Sequence, residues 1–167
     1  MPVDQTPEQL AALLRELCRL PNETEWVEFK HDNGDAPMIG EYISAIANSA
    51  ALIGKQSGYV VWGVEDGNHE VIGSAFKPSV ARHKQQELES WLLQKTVPKI
   101  HFKFYEFSNE VGLPVVVLEI QAATHTPVQF DGTEYIRVGS YKKKLREFAE
   151  KERDLWRVFD KTPFERQ

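Results

Sequence analysis

The segment Tyr59-Val-Val-Trp-Gly-Val-Glu-Asp-Gly67 is the clearest fold signal in the chain, because its apolar run ends abruptly in two carboxylates and a glycine. Residues 58–64 are apolar on both faces, which predicts a central strand that is covered on each side. Upstream, within the acidic segment Glu23–Lys30, residues Glu25–Lys30 alternate well enough to predict a second strand. A stripe of isoleucines at helical spacing lies between the two strands, starting at Ile39. A strand, a helix and a strand form a crossover unit, which brings the ends of both strands to one edge of the sheet.

The remaining patterns complete an α+β fold, in which helices pack on a mixed β-sheet that contains the crossover unit. Thr6-Pro7-Glu8 is typical of a helix start and predicts an N-terminal helix over residues 7–20. Asn48, near the end of the second helix, is expected to be a buried polar group that ties helix to strand. The other predicted elements are a hairpin at His69–Phe76, a helix from Ser79 to about Thr96, strands at Ile100–Phe107 and Leu113–Ile120, an extended pair around Asp131-Gly132, and a helix over residues 145–159.

Length and composition predict one globular domain over residues 1–167, with its core at about residues 20–145. No apolar run approaches the ~20 residues that a membrane span needs, so no membrane partner is expected. A single cysteine, Cys18, excludes an internal disulfide and favours the cytoplasm. The chain ends directly after its last predicted helix, which indicates a fragment of a longer protein.

The formal net charge of −5 argues against generic nucleic-acid binding, but the charges are unevenly distributed. Residues 1–70 carry twelve acidic and four basic side chains, whereas residues 135–157 carry eight basic and four acidic ones. This asymmetry indicates either a basic binding surface or a solvated helix face.

Acidic side chains occur where the two strands of the crossover unit end. Glu28 and Lys30 share a strand face, with their head groups about 7 Å apart along the chain, and Asp66 follows the neighbouring strand. Glu23 joins them if residues 21–24 form a turn that folds back. Carboxylates are the ligands that Mg²⁺ or Mn²⁺ prefers, and with a lysine they suit metal-assisted cleavage of a phosphodiester. The alternative is a surface pair of Glu28 and Lys30, with Asp66 capping a turn.

A second candidate is the basic segment Tyr135-Ile-Arg-Val-Gly-Ser-Tyr-Lys-Lys-Lys144. It combines an arginine on a strand, a turn with free backbone amides, and three lysines, all of which bind phosphate oxygens. Its tyrosine rings can stack on bases. The alternative is a helix N-terminus with solvated lysines. The residues expected to contact nucleic acid, either RNA or DNA, are Arg137, Tyr141, Lys142, Lys143 and Lys144.

Several motifs, in this order and spacing, resemble the Schlafen-type AlbA_2 domain over roughly residues 20–145. They are Glu23-x4-Glu28-Phe-Lys30, Ala47-Asn48, Gly63-Val-Glu-Asp66-Gly with Val71-Ile-Gly73, and Tyr135-Ile-Arg-Val-Gly-Ser140. The resemblance implies an α+β domain that forms the N-terminal module of bacterial proteins with a divergent AAA or ATP-binding region, often described as DNA-binding transcriptional regulators. ATP would then bind only to a region outside this chain.

The same resemblance implies chemistry, because a similar core in animal Schlafen proteins cleaves transfer and ribosomal RNA with three carboxylates and a divalent metal. It makes Glu23, Glu28 and Asp66 the expected catalytic ligands of Mg²⁺ or Mn²⁺, with Lys30 as an electrostatic assistant. The animal enzymes use a duplicated core, so RNA cleavage by this single copy implies a homodimer. The second interpretation is a non-catalytic module of a larger ATP-binding protein that serves DNA binding, regulation or oligomerisation.

Overall fold

Strands and helices follow one another along the chain in the order expected of an α+β fold. The computed structural model describes residues 4–21 and 24–161. Within these ranges the elements are α1 (Pro7–Cys18), β1 (Val27–Lys30), α2 (Ala36–Leu52), β2 (Ser57–Trp62), β3 (Arg82–His83), β4 (Gln86–Glu87), α3 (Leu88–Lys95), β5 (Thr96–Val97), β6 (Phe102–Ser108), β7 (Pro114–Gln121), β8 (Gln129–Phe130), β9 (Thr133–Val138), β10 (Tyr141–Lys144), a 3-10 helix (Leu145–Glu147) and α4 (Ala149–Asp160). None of the described helices is long and apolar enough to cross a membrane.

The predicted crossover unit is confirmed. β1 and β2 pair in parallel, with Glu28 opposite Val60 and Lys30 opposite Trp62, and α2 connects the two strands. β2 is a central strand, as its apolar sequence predicts, because β7 pairs with its other edge in antiparallel orientation. β6 completes this first sheet, whose strand order is β1-β2-β7-β6. The ends of β1 and β2 therefore lie at the same edge of the sheet.

Helix α2 lies between the first sheet and a second one, which explains why almost its whole circumference is buried. The second sheet is antiparallel and has the order β10-β9-β8-β5. Ile43 and Ile46 of α2 belong to the apolar cluster between the two sheets. Gly40 permits this close packing, because a Cβ atom at this position would overlap the ring of Phe130 on β8.

Helix α1 covers the outer face of the first sheet. The helix starts at Thr6-Pro7-Glu8 as predicted, and Thr6 and Gln9 form a capping box with reciprocal side-chain to backbone hydrogen bonds of 3.2 and 2.8 Å. Leu14 and Leu17 are buried against apolar side chains of β1, β2 and β7. The first sheet is therefore covered on both faces, as its apolar central strands require.

Three polar side chains of α2 form hydrogen bonds to the backbone of β9. Asn48 donates to the carbonyl of Tyr135 at 2.8 Å, and Ser44 accepts from the Tyr135 N–H at 2.9 Å. Ser49 accepts from the N–H of Arg137 at 2.9 Å. β8 pairs only with the first two residues of β9, so these side chains satisfy the edge of β9 beyond that point. The prediction that Asn48 ties helix to strand is confirmed.

The predicted helix from Ser79 to about Thr96 is wrong in its first half. Residues 82–87 form the β3–β4 hairpin, and α3 begins only at Leu88. Lys84 and Gln85 form the turn of this hairpin with φ angles of 49° and 66°. This left-handed conformation ends a right-handed helix.

Two other segments also differ from expectation. The predicted hairpin at His69–Phe76 is reduced to a single bridge between Val64 and Val71. The three lysines do not begin a helix, because Tyr141–Lys144 is a strand that pairs with β9. Gly139 turns the chain back between these strands with a φ angle of 61°, and α4 begins only after the 3-10 helix.

We expect Asn48→Ala to lower the free energy of unfolding by roughly 2–5 kcal/mol. The change leaves the buried N–H of Val128 and the carbonyl of Tyr135 without their partners on Asn48. Urea unfolding followed by circular dichroism measures the loss. Asn68→Ala is the control, because Asn68 is exposed and its hydrogen bond to the Glu70 N–H lies at the surface. Equal losses in the two variants would contradict the assignment.

Candidate functional site

Strand β1 carries a buried ion pair that joins the two sheets. Oε1 of Glu28, on β1, accepts a hydrogen bond from Nη1 of Arg137, on β9, at 2.8 Å. The side chain of Glu28 is 14% exposed and that of Arg137 only 1%. Glu28 and Lys30 share a strand face as predicted, with Lys30 Nζ 3.3 Å from Glu28 Oε2. Each carboxylate oxygen of Glu28 therefore faces a different cation.

The guanidinium of Arg137 also binds backbone at the start of β1. Its Nη2 donates to the carbonyls of Thr24 and Val27, at 2.9 and 3.1 Å. Its Nε is buried and has no hydrogen-bond partner among the described residues. In this conformation the guanidinium contacts protein, so its predicted contact with nucleic acid would require the ion pair to open.

Tyr42 of α2 lies beneath three cationic side chains. The centroid of its ring is 4.7 Å from Lys142 Nζ, 5.3 Å from Lys30 Nζ and 5.6 Å from Arg137 Cζ. Cations are attracted to an aromatic face, most strongly where water is excluded. Burial raises the pKa of Tyr42, and the charge of Glu28 adds to this effect. The ring therefore stays neutral and remains a suitable partner for the cations.

Glu41 extends this group of charges toward solvent. Its Oε1 lies 2.6 Å from Lys142 Nζ, and its Oε2 accepts a hydrogen bond from the Tyr135 hydroxyl at 3.4 Å. Together the contacts connect β1, α2, β9 and β10 at one place. We call this group the charged joint, and it consists of Glu28, Lys30, Glu41, Tyr42, Arg137 and Lys142. Three cations and two carboxylates give the joint one excess positive charge.

The edge strand β10 exposes the rest of the basic segment. Tyr141 is 69% exposed, and Lys143 and Lys144 are exposed beside it. Lys143 Nζ lies 5.8 Å from the centroid of the Tyr141 ring. Neither lysine contacts a carboxylate within the part of the chain that the structure describes. Their charges are therefore available to an anion in solution.

Of the three predicted metal ligands, Glu23 lies outside the described residues, and Glu28 and Asp66 lie within them. Asp66 is exposed in the turn after β2, and its carboxylate has no partner within residues 4–21 and 24–161. In the same ranges, no three side chains of His, Cys, Asp or Glu gather to hold a metal ion. Arg137 and Lys30 already balance the charge of Glu28, so a metal at this edge would depend on Glu23 and Asp66 as well.

The charged joint unites residues that the sequence places in two separate groups. Arg137 and Lys142 come from the basic segment, whereas Glu28 and Lys30 come from the acidic strand. The sequence did not identify Glu41 and Tyr42 as site residues. The sequence does contain a signal for them, because Glu41 is the one charged residue of α2 and it stands beside an aromatic residue, on the turn that faces the end of β1.

Comparisons with known proteins agree with this fold. The family model described as Schlafen, AlbA_2 matches residues 23–146. The crystal structure of the DIP2311 protein from Corynebacterium diphtheriae is similar, with a TM-score of 0.50 at 16% identity. This similarity, which shows the fold alone, covers 82% of this chain and 26% of the other, so the chain spans about a quarter of that protein's length.

A second solved structure is the N-terminal domain, determined by solution NMR, of a protein from Nitrosomonas europaea that is named as RecG-related. It has a TM-score of 0.47 at 20% identity, over 78% of this chain and 89% of that domain. A comparison with curated proteins gave no match.

We expect a double-mutant cycle to show that Glu28 and Arg137 are energetically coupled. Glu28→Gln leaves a buried guanidinium without an anion, and Arg137→Met leaves a carboxylate without its main partner. Each single change should cost roughly 3 kcal/mol, and the double variant should cost less than their sum by about 1–3 kcal/mol. Urea unfolding measures all three variants.

Lys30→Met serves as the control for this cycle. Its side chain is 23% exposed and also pairs with Glu28, yet it bonds no backbone at the start of β1. We expect it to cost about 1 kcal/mol or less. Strictly additive losses for Glu28→Gln and Arg137→Met would contradict a coupled pair.

Proposed function

Because the chain belongs to the Schlafen AlbA_2 family, we propose that it is a nucleic-acid-binding domain whose contact surface is β10 and the charged joint behind it. One observation carries this proposal: the exposed basic edge strand of a protein whose formal net charge is −5. Phosphates are attracted to a local cluster of lysines, whereas the overall field of an acidic protein repels them. Binding is therefore confined to this surface.

The residues of β10 would contact nucleic acid in two ways, by attracting phosphates and by stacking on a base. Lys143 and Lys144 supply exposed ammonium groups for the phosphate backbone, and the exposed ring of Tyr141 can stack on a base. Lys142 adds a charge that Glu41 partly balances. Arg137 acts through position, because it fixes β9 against β1 and thereby fixes the strand that pairs with β10.

An exposed tyrosine among lysines favours single-stranded or splayed nucleic acid over a regular duplex. Bases within a duplex hide their faces in the stack, so a protein ring reaches them only where the strand is open. The proposed ligand is accordingly a single-stranded segment of RNA or DNA.

Metal-dependent cleavage of RNA is a second candidate function. It is supported by the family resemblance and by the exposed carboxylate of Asp66 next to the sheet edge where β1 also ends. Glu23, Glu28 and Asp66 would hold Mg²⁺ or Mn²⁺, which when bound would polarise the phosphate and lower the pKa of a water. Lys30 would stabilise the negative charge that develops on a phosphate oxygen.

A non-catalytic role in a larger ATP-binding protein is the alternative. It is supported by the fact that the chain spans only 26% of the similar Corynebacterium diphtheriae protein. In this alternative the domain binds nucleic acid or oligomerises, and ATP binds to a region outside the chain. Homodimerisation is compatible with RNA cleavage and with the non-catalytic role, because two copies of the domain would supply a duplicated core.

We expect Lys143→Gln/Lys144→Gln to weaken the binding of a labelled single-stranded oligonucleotide. Two neutralised cations should reduce the slope of log K against log salt concentration by roughly 1–2 units. Fluorescence anisotropy over a series of KCl concentrations measures this slope. The control is Lys77→Gln/Lys161→Gln, which removes the same charge from two other exposed lysines. An equal effect of both double variants would refute β10 as the contact surface.

We expect the wild-type protein to cleave transfer RNA in the presence of Mn²⁺ and Asp66→Ala to abolish this cleavage. Gel analysis of the RNA products measures the activity, and EDTA should remove it. Glu65→Ala is the matched control, because it deletes the adjacent exposed carboxylate and should retain cleavage. No Mn²⁺-dependent cleavage by the wild type, or equal cleavage by all three proteins, would exclude the catalytic candidate and leave the binding proposal intact.

A further inference from the structure

A pocket of about 350 Å³ opens beside the charged joint, between the start of α2, the β3–β4 hairpin and the β8–β9 turn. We call it the aromatic pocket. Pockets of this size hold small organic groups. Its lining includes four aromatic side chains and two carboxylates, namely His83, Trp91, Phe130 and Tyr135 with Glu41 and Asp131. Glu41 belongs to both the pocket and the charged joint, so the two sites are continuous.

The aromatic walls of the pocket are held in place by one another. The ring of Trp91 lies 4.2 Å from that of His83 and 5.6 Å from that of Phe130, edge to face in both cases. Trp91 and Phe130 are also core residues and are almost fully buried. Walls of this kind are preorganised and suit a flat ring that packs against them.

The charges around the pocket favour a neutral ring that is attached to an anion. Glu41 pairs with Lys142 at 2.6 Å, and Asp131 pairs with Lys95 at 3.6 Å. Lys84 lines the pocket as well and contacts no carboxylate among the described residues. Each of the two carboxylates thus has a lysine partner from outside the lining, and Lys84 is the lining charge that has no partner among the described residues, which disfavours the cationic side chain of a protein partner. It favours a base that is linked to phosphates.

Lys84 is held beside this pocket in a strained conformation. Lys84 and Gln85 have φ angles of 49° and 66° in a two-residue hairpin turn, where Asn-Gly is the favoured pair. A left-handed backbone is unfavourable for an ordinary L-residue. The turn thus places the Lys84 ammonium group at the pocket although the backbone of Lys84 adopts an unfavourable conformation. Such strain is common at residues that bind a ligand.

We propose that the aromatic pocket takes one unstacked guanine base of a single-stranded nucleic acid, and this inference rests on the proposed function. Guanine presents two adjacent donors, N1–H and the 2-amino group, and the single carboxylate of Glu41 can accept from both. Uracil and thymine present one donor between two acceptors, and adenine and cytosine present an acceptor beside their amino group. A carboxylate repels those acceptors. Lys84 and Lys142 contact the phosphates on either side of the bound base.

The test compares short labelled uridine strands that differ only in one central base: uracil, guanine, adenine or hypoxanthine. Fluorescence anisotropy gives the dissociation constant of each strand. We expect the strand with guanine to bind roughly tenfold more tightly than the strand with uracil. Hypoxanthine keeps N1–H but lacks the 2-amino group, so its strand should bind with intermediate affinity.

Glu41→Ala should bring the affinities for guanine and uracil strands to within about twofold of each other, because it removes the accepting carboxylate. Glu134→Ala is the matched control. Glu134 precedes Tyr135 on β9 and lies outside the aromatic pocket, so its removal changes the net charge equally and should keep the preference for guanine.

Guanosine monophosphate and uridine monophosphate locate the binding site independently of any strand. In ¹H–¹⁵N spectra, the guanine nucleotide should shift the amides of Lys84, Thr133 and Tyr135, which line the pocket, more than the uracil nucleotide does. Shifts confined to other residues would overturn the assignment, and so would equal affinity for all four strands. Equal binding of the strands leaves the proposed function standing, whereas no binding of any strand removes the proposed function and the pocket assignment together.

Discussion

The buried ion pair between Glu28 and Arg137 is the interaction on which the arrangement of the two sheets depends. Arg137 belongs to β9, yet it binds the Glu28 carboxylate on β1 and the carbonyls that precede this strand. Its own N–H is bound by Ser49 of α2. One residue thus connects both sheets with the helix between them. Burying two charges costs several kcal/mol, and the pair offsets this cost only in good geometry, so it fixes relative position more than it adds stability.

This constraint changes how the charged residues of the chain divide between structure and function. By residue type alone, Arg137 looks like a phosphate ligand and Glu28 like a metal ligand. In the fold they satisfy each other, and Lys30 and Lys142 gather with Arg137 over the neutral ring of Tyr42. The groups left for a ligand are those with no counter-charge among the described residues, above all Lys143 and Lys144 on β10 and Asp66 after β2.

Local patterns predicted much of the fold, because the crossover unit, the start of α1, the buried β2 and the β8–β9 turn depend on neighbours in sequence. The β3–β4 hairpin was missed, since Lys84-Gln85 takes a turn conformation that these residue types do not favour. The pairing of Arg137 with Glu28 was missed for a different reason. Neighbouring side chains of a strand point to opposite faces, so Arg137 lies on the other face from the buried Ile136. This pattern predicts that the Arg137 side chain is exposed. Here the Arg137 face is covered as well, by Tyr42 of α2 and by β1, which only the assembled layers reveal.

Glu41 links the two proposed contacts with nucleic acid, because it is shared by the charged joint and the aromatic pocket. In the free protein its carboxylate holds Lys142 at 2.6 Å. A base that donates hydrogen bonds to this carboxylate would compete with Lys142 and release its ammonium group toward a phosphate. A bound base would occupy Glu41 and free Lys142 for a phosphate, and a bound phosphate would occupy Lys142 and free Glu41 for a base. Binding of the base and binding of the phosphate would therefore favour one another. A protein of net negative charge could in this way reserve its affinity for strands that present the right base beside the backbone.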